Sequence, residues 1–205
     1  MIRRICLALV FCAGFTANAA TQNAPTVVIL VRHAEKAIAP ASDPPLTDAG
    51  LARARALAVL LSDANVDAVI ATPTVRTRET ARPTAEAHGI AIETVAFAPV
   101  AVHAKAVAEA VMKHAGKTVL VVAHSNTVAA IVAALGGPKM ADLCDSQYSM
   151  LIALVLDGHT VRVIRSSYGI ATPDTPEACP ATGGSVRPAS GADYLLYKEF
   201  SEWTL

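Results

Sequence analysis

Aromatic side chains are scarce in this 205-residue chain: Phe, Tyr and Trp make up only 4% of it. Ala and Val dominate the apolar 53% instead, and such small side chains suit helices packed closely on a sheet. Net charge is also missing, with 17 basic residues against 17 acidic ones. That balance offers no footprint for nucleic acid or for an anionic membrane surface. Cysteine occurs four times, and the two outside the N-terminal segment, Cys144 and Cys179, are too few and too far apart for a zinc site. Ser125 lacks the Gly-x-Ser-x-Gly elbow of a serine hydrolase, because Ala123 and Thr127 flank it. A metal hydrolase built on His33 and Glu35 has no further ligands in view. No internal repeat is visible.

The first residues read as a targeting segment. Arg3 and Arg4 form a short positive region, and Ile5 to Phe15 is apolar. Ala17-Asn18-Ala19 then supplies an A-x-A cleavage signal. Residues 1–19 are therefore expected to be a secretory signal peptide, with Ala20 as the new N-terminus and a periplasmic or secreted product. An uncleaved anchor would need about 20 apolar residues, and lipid attachment at Cys12 is disfavoured by bulky Phe11 before it. Cleavage leaves 15 basic and 17 acidic residues, a net charge of −2, and no stable membrane insertion. In an oxidising compartment one Cys144–Cys179 disulfide would tie the tail to the body; two unpaired thiols are the alternative.

The body alternates strand-like and helical segments. Thr26 to Val31 is continuously apolar and β-branched, as in a strand buried on both faces. Val66 to Ala71, Ile90 to Val95 and Lys117 to Ala123 repeat the theme. Between them, helical spacing runs from Thr47 (a candidate N-cap) to about Asp63, with Arg53 and Arg55 off the apolar stripe. It returns from Thr72-Pro73-Thr74 to His88 with Gly89 as C-cap, where Pro83 predicts a kink or early break. Two further helices are predicted from Val102 to His114 and from Asn126 to Leu135, the latter stopped by Gly136-Gly137-Pro138. Asp157-Gly158-His159 joins two strand-like runs, Tyr148 to Leu156 and Thr160 to Ser166, as a hairpin. The pattern predicts an α/β fold: a three-layer αβα sandwich whose mostly parallel sheet carries antiparallel edge strands near the C-terminus. The folded domain is expected over 25–168, and 169–205 as an irregular tail that docks back on it.

In such sheets ligands bind beyond the carboxyl ends of the strands. Arg32-His33 and His124 follow strands directly, and Arg76 falls on the helical turn after one. All four are expected on one rim. Neutral imidazole is a competent nucleophile toward phosphorus. Guanidinium groups offer planar, paired donors to the three equatorial oxygens of a phosphoryl group in flight. His124, when protonated, adds a further charged donor. Arg76 is preferred over Arg78, which points about 200° away on the same helix. His88, His114 and His159 sit at helix ends or in a turn, where a solvated His is usual, and Asn126 is either an N-cap or a pocket donor.

These residues carry a resemblance. Arg32-His33-Ala34, the segment Asp43-Pro44-Pro45-Leu46-Thr47-Asp48-Ala49-Gly50, the run from Thr72 to Ala81, and the apolar strand ending in Ala123-His124 occur in order. The chain thereby resembles the histidine phosphatase superfamily (phosphoglycerate mutase-like, branch 1) over about residues 26 to 165, with Thr72 for the usual Ser and Ala123 for the usual Gly. The resemblance implies His33 as phosphorylated nucleophile, Arg32, Arg76 and His124 as the phosphate pocket, a small phosphorylated substrate, and no metal or cofactor.

One part of that pattern is missing. Many family members place a Glu or Asp just after the third strand to protonate the leaving alcohol. Val95 to Val102 contains no carboxylate. Glu35, Asp43 and His103 are the remaining candidates, none assigned. A non-catalytic phosphate binder on the same scaffold is therefore the second reading, and good leaving groups such as phosphohistidine or acyl phosphates fit the first.

Overall fold

In the computed structural model, which describes residues 24–172, the apolar runs form the middle of a single sheet. The elements in chain order are β1 (Thr26–Arg32), α1 (Asp48–Leu60), β2 (Val66–Ala71), α2 (Val75–His88), β3 (Ile92–Thr94), α3 (Val100–Met112), β4 (Thr118–Ala123), α4 (Ser125–Ala134), β5 (Met150–Leu156) and β6 (Val161–Ser167). The sheet order is β3-β2-β4-β1-β5-β6. The first four strands in that order are parallel, and the β5–β6 hairpin adds to β1 antiparallel. The expected signal peptide over 1–19 and the tail from 173 onward, Cys179 included, lie outside the described residues. Cys144 is disulfide-bonded.

Burial on both faces explains the unbroken apolar strands. On one face Leu57 and Leu61 after α1, and Ala81 and Ala85 of α2, meet Ile29, Val31 and Leu120. On the other, Val107, Val111, Ile131 and Val132 of α3 and α4 meet Val28, Leu30 and Val121. Each fully buried Val, Leu or Ile contributes about 1.5–3 kcal/mol relative to exposure. The small alanines let the helices lie close to the strands.

One expectation needed correction. α2 runs unbroken through Pro83. The ring removes one backbone donor, yet Thr80, Ala81, Thr84 and Ala85 around it are buried, and that packing outweighs the lost bond. Arg53, off the apolar stripe of α1, is not a surface residue but 5% exposed. Its Nε donates to both oxygens of Glu35 at 3.0 Å, its Nη2 to Glu35 Oε1 at 2.8 Å, and its Nη1 to the Tyr168 carbonyl at 2.9 Å. Elsewhere the boundaries shift by one to three residues; α3, for instance, starts at Val100 behind Pro99.

Candidate active site

Pairing of β1 with β4 builds the centre of the site. The two strands run parallel with Arg32 opposite Ala123, so the next residue of each, His33 and His124, emerges side by side. The His33 amide donates to the Ala123 carbonyl at 2.9 Å, and the two imidazole centroids are 5.4 Å apart. β2, on the other side of β4, delivers Thr72 and then the first turn of α2. Arg76 Nη2 comes within 3.4 Å of His124 Nδ1. The four side chains expected on one rim are thus together.

The hydrogen bonds assign both tautomers. His33 Nδ1 faces the Ala34 carbonyl at 2.8 Å. A carbonyl only accepts, so Nδ1 carries the proton and Nε2 keeps its lone pair. At His124 the reverse holds. Arg76 only donates, so Nδ1 accepts, and Nε2–H donates to Thr72 Oγ1 at 2.9 Å. That hydroxyl sits in a buried cluster with Thr74 and Thr77, where Thr77 Oγ1 donates to the Thr72 carbonyl at 2.9 Å. Thr72 therefore keeps the hydroxyl that the usual Ser would supply.

Both imidazoles are neutral in the free pocket. Burial pushes His33 down to about 3, and Arg32, His124 and Arg76 add to the push. Burial followed by Arg76 takes His124 down to about 4. His124 is therefore not a charged donor until a bound anion reverses the local potential. Both values lie below the ordinary His value of about 6.5, so between pH 6.5 and 4 the unfolded chain binds more protons than the native one. Stability is fullest above pH 6.5 and drains away as pH falls through that window, each imidazole losing at most about 1.4 kcal/mol per pH unit. The melting temperature should drop between pH 7 and 4.5, above the carboxylate range, and His124→Asn should flatten the slope. An unchanged slope in that variant would contradict this account.

Arg32 is buried and Arg76 half-buried, and both are only partly paired. Arg32 is 2% exposed. Its Nη1 donates to the Cys144 carbonyl at 2.8 Å and its Nη2 to Asp145 Oδ1 at 3.4 Å. Arg76 Nη1 reaches Asp43 Oδ1 at 3.5 Å. The Nε atoms of both are buried and have no hydrogen-bond partner. An unsatisfied buried donor costs about 1–3 kcal/mol, which an acceptor at either Nε would offset.

Neighbouring residues of the same segments hold this arrangement. Thr80 Oγ1 accepts from the Ala34 amide at 2.9 Å and donates to the Arg76 carbonyl at 2.8 Å. Glu79 Oε2 accepts from the Leu46 amide at 2.7 Å. Thr47 caps α1 by accepting from Gly50 at 3.1 Å. A Cβ on Gly50 would run into the Glu35 carbonyl oxygen, so a residue with no side chain is required there. Arg78 is exposed, as its angle on the helix predicts.

Residues 28–96 match the family model of the histidine phosphatase superfamily, branch 1. No curated protein matches the chain's sequence. Solved structures share the histidine phosphatase fold at low identity. Bacillus stearothermophilus YhfR is 21% identical, with 67% of this chain and 95% of that one covered and a TM-score of 0.53. The protein histidine phosphatase SixA, solved with tungstate, is also 21% identical, over 69% and 96% of the two chains, with a TM-score of 0.53. Mycobacterial glucosyl-3-phosphoglycerate phosphatase is 15% identical over 72% and 100%, with a TM-score of 0.51.

The three candidate acids have separate fates. The Glu35 carboxylate is held by Arg53. Asp43 accepts from the Val75 amide at 3.1 and 3.2 Å, which caps α2, and pairs with Arg76. His103 is 2% exposed. Its Nδ1 donates to the Ala96 carbonyl at 3.0 Å, and its Nε2 is buried without a partner. Phe97, 56% exposed, lies between it and the pocket, with its ring centroid 6.4 Å from that of His103 and 5.5 Å from that of His124. The carboxylate-free stretch after β3 thus contributes an aromatic ring. Asn126 is exposed within α4, and His124 is the N-cap.

Sequence reasoning missed Tyr148 and Asp145. The Arg32 guanidinium carbon lies 4.2 Å from the Tyr148 ring centroid, and that ring is 6.2 Å from His33. Nothing in the primary order marks either residue, because their place depends on β5 adding antiparallel to β1. Among the described residues no group of three His, Cys, Asp or Glu side chains could hold a metal ion, and no helix is long and apolar enough to cross a membrane.

Proposed function

We propose that the mature protein is an exported, metal-independent phosphatase that hydrolyses phosphomonoesters or related phosphorylated substrates through a phosphohistidine on His33. One observation carries the reading: two buried, unpartnered guanidinium donors, from Arg32 and Arg76, stand beside an imidazole whose Nε2 lone pair is free. The match of residues 28–96 to the histidine phosphatase family model supports it, as does the tungstate, a tetrahedral oxyanion, held by the structurally similar SixA. In the first step the His33 Nε2–P bond forms as the P–O ester bond breaks, and the leaving oxygen takes a proton from solvent, which the attacking water returns in the second step. Water then attacks phosphorus, the Nε2–P bond breaks, and orthophosphate departs. Arg32 and Arg76 neutralise the equatorial oxygens throughout, and His124 gains a donor proton once the anion is bound.

The carboxylate-free stretch from Val95 to Val102 favours substrates whose leaving group needs little protonation, such as phosphohistidine and acyl phosphates. It also motivates the second reading, a phosphate-ligand binder without turnover. Assay of the mature protein with p-nitrophenyl phosphate and a phosphoramidate, with and without EDTA, separates the two. Turnover indifferent to EDTA is expected; phosphate binding with no turnover of either compound would leave only the binder. For export, the mature N-terminus read by mass spectrometry is expected at Ala20, and a chain retaining Met1 would refute it.

A further inference from the structure

Arg32 is held on three sides by one short segment. The Cys144 carbonyl takes Nη1, the Asp145 carboxylate takes Nη2, and the Tyr148 ring covers the guanidinium face. That segment is itself braced. The Cys144 amide donates to Gln147 Oε1 at 2.8 Å, Ser125 Oγ donates to Asp145 Oδ1 at 3.4 Å, and Cys144 is cross-linked. Nothing else in the described residues holds that guanidinium, and its Nε stays unpartnered.

We propose that the Cys144–Tyr148 segment is a clamp that positions Arg32 for the phosphoryl group, with Tyr148 fixing the plane of the guanidinium and Asp145 competing with the anion for it. The two contacts act in opposite directions. A ring against the guanidinium face leaves the edge donors free, so stacking orients Arg32 without consuming a hydrogen bond. A carboxylate on Nη2 uses an edge donor that a phosphoryl oxygen would otherwise take. Asp145 is almost wholly exposed, its side chain 96% accessible, so an incoming dianion displaces it at little cost. The pocket would thereby hold its arginine ready when empty and release it when filled.

The inference rests on Arg32 as an anion-binding group, and calorimetry with inorganic phosphate on the mature protein tests it apart from turnover. Tyr148→Leu is expected to raise the phosphate Kd about tenfold, whereas Tyr148→Phe, which keeps the ring, stays within about twofold. Asp145→Asn is expected to lower the Kd about two- to fivefold, the range for an exposed ion pair. In the Arg32→Lys background Tyr148→Leu should add almost nothing. A wild-type Kd in Tyr148→Leu, an equal loss in Tyr148→Phe, or weaker binding in Asp145→Asn would each overturn the clamp. Should Tyr148→Leu fail to fold, the sign of the Asp145→Asn effect decides alone. A wild type that binds phosphate yet turns nothing over refutes the phosphatase and leaves the clamp to stand or fall on these Kd values.

Discussion

Replacing His33 by alanine should reduce hydrolysis of an aryl phosphate to background, a loss on the order of 10⁴-fold or more. The expectation follows from the imidazole's fixed orientation. Its Nδ1–H bond to the Ala34 carbonyl leaves Nε2 as the attacking atom, and with a pKa of about 3 that atom stays unprotonated across the neutral range. No other side chain in the pocket combines a lone pair with this freedom, since His124 Nδ1 already faces Arg76. Binding of phosphate should survive in His33→Ala within about tenfold, because both guanidinium groups remain. Wild-type enzyme quenched in alkali during turnover should yield a phosphoenzyme that acid destroys, and the variant should yield none. A labelled phosphoenzyme in His33→Ala, or more than about 1% of wild-type turnover, would end the covalent mechanism.

Arg76→Ala should cost about 2.7–4 kcal/mol of transition-state stabilisation, or 10²- to 10³-fold in kcat/KM. The side chain does two things at once: its buried Nε awaits an acceptor, and its Nη2 keeps the proton off His124 Nδ1. Lysine offers one compact ammonium and cannot serve His124, Asp43 and an anion together, so Arg76→Lys should recover little. A second readout distinguishes a role in the pocket from a role in packing. Burial is the main reason that His124 titrates near 4, and Arg76 is the next, so its imidazole should titrate at higher pH in Arg76→Ala, as followed by NMR. Near-normal kcat/KM in Arg76→Lys would count against the assigned role.

Local features of the chain were legible because local physics decides them. The apolar runs at Thr26–Val31 and Lys117–Ala123 read as buried parallel strands, since only burial on both faces tolerates them, and they form β1 and β4 in the middle of the sheet. The Asp157–His159 turn read as a hairpin, and its Asp157 carboxylate does accept from the Thr160 amide at 2.6 Å. Arg76 could be chosen over Arg78 from helical geometry alone. What escaped was whatever depends on a distant partner. Arg53 was placed only as off the apolar stripe, and its burial could not be foreseen because its partner Glu35 lies on a loop preceding the helix. Tyr148 looked like the start of a strand because its partner Arg32 is reached only when the hairpin docks beside β1. Pro83 was read by its intrinsic cost, while burial of its neighbours determined the outcome. The charge state of His124 required the whole constellation, because it depends first on burial and then on Arg76 from the start of α2, with a smaller push from Arg32 at the end of β1.

The alignment of β1 with β4 has a practical corollary. Arg32 stands opposite Ala123 in the ladder, and an offset of a single position would turn one imidazole to the opposite side of the sheet. Molecules that recover their helices and strands but mispair these two would look native by circular dichroism and yet be inert. Titration with a tight oxyanion inhibitor would therefore count correctly assembled molecules in a refolded sample, a quality measure that bulk spectroscopy cannot provide.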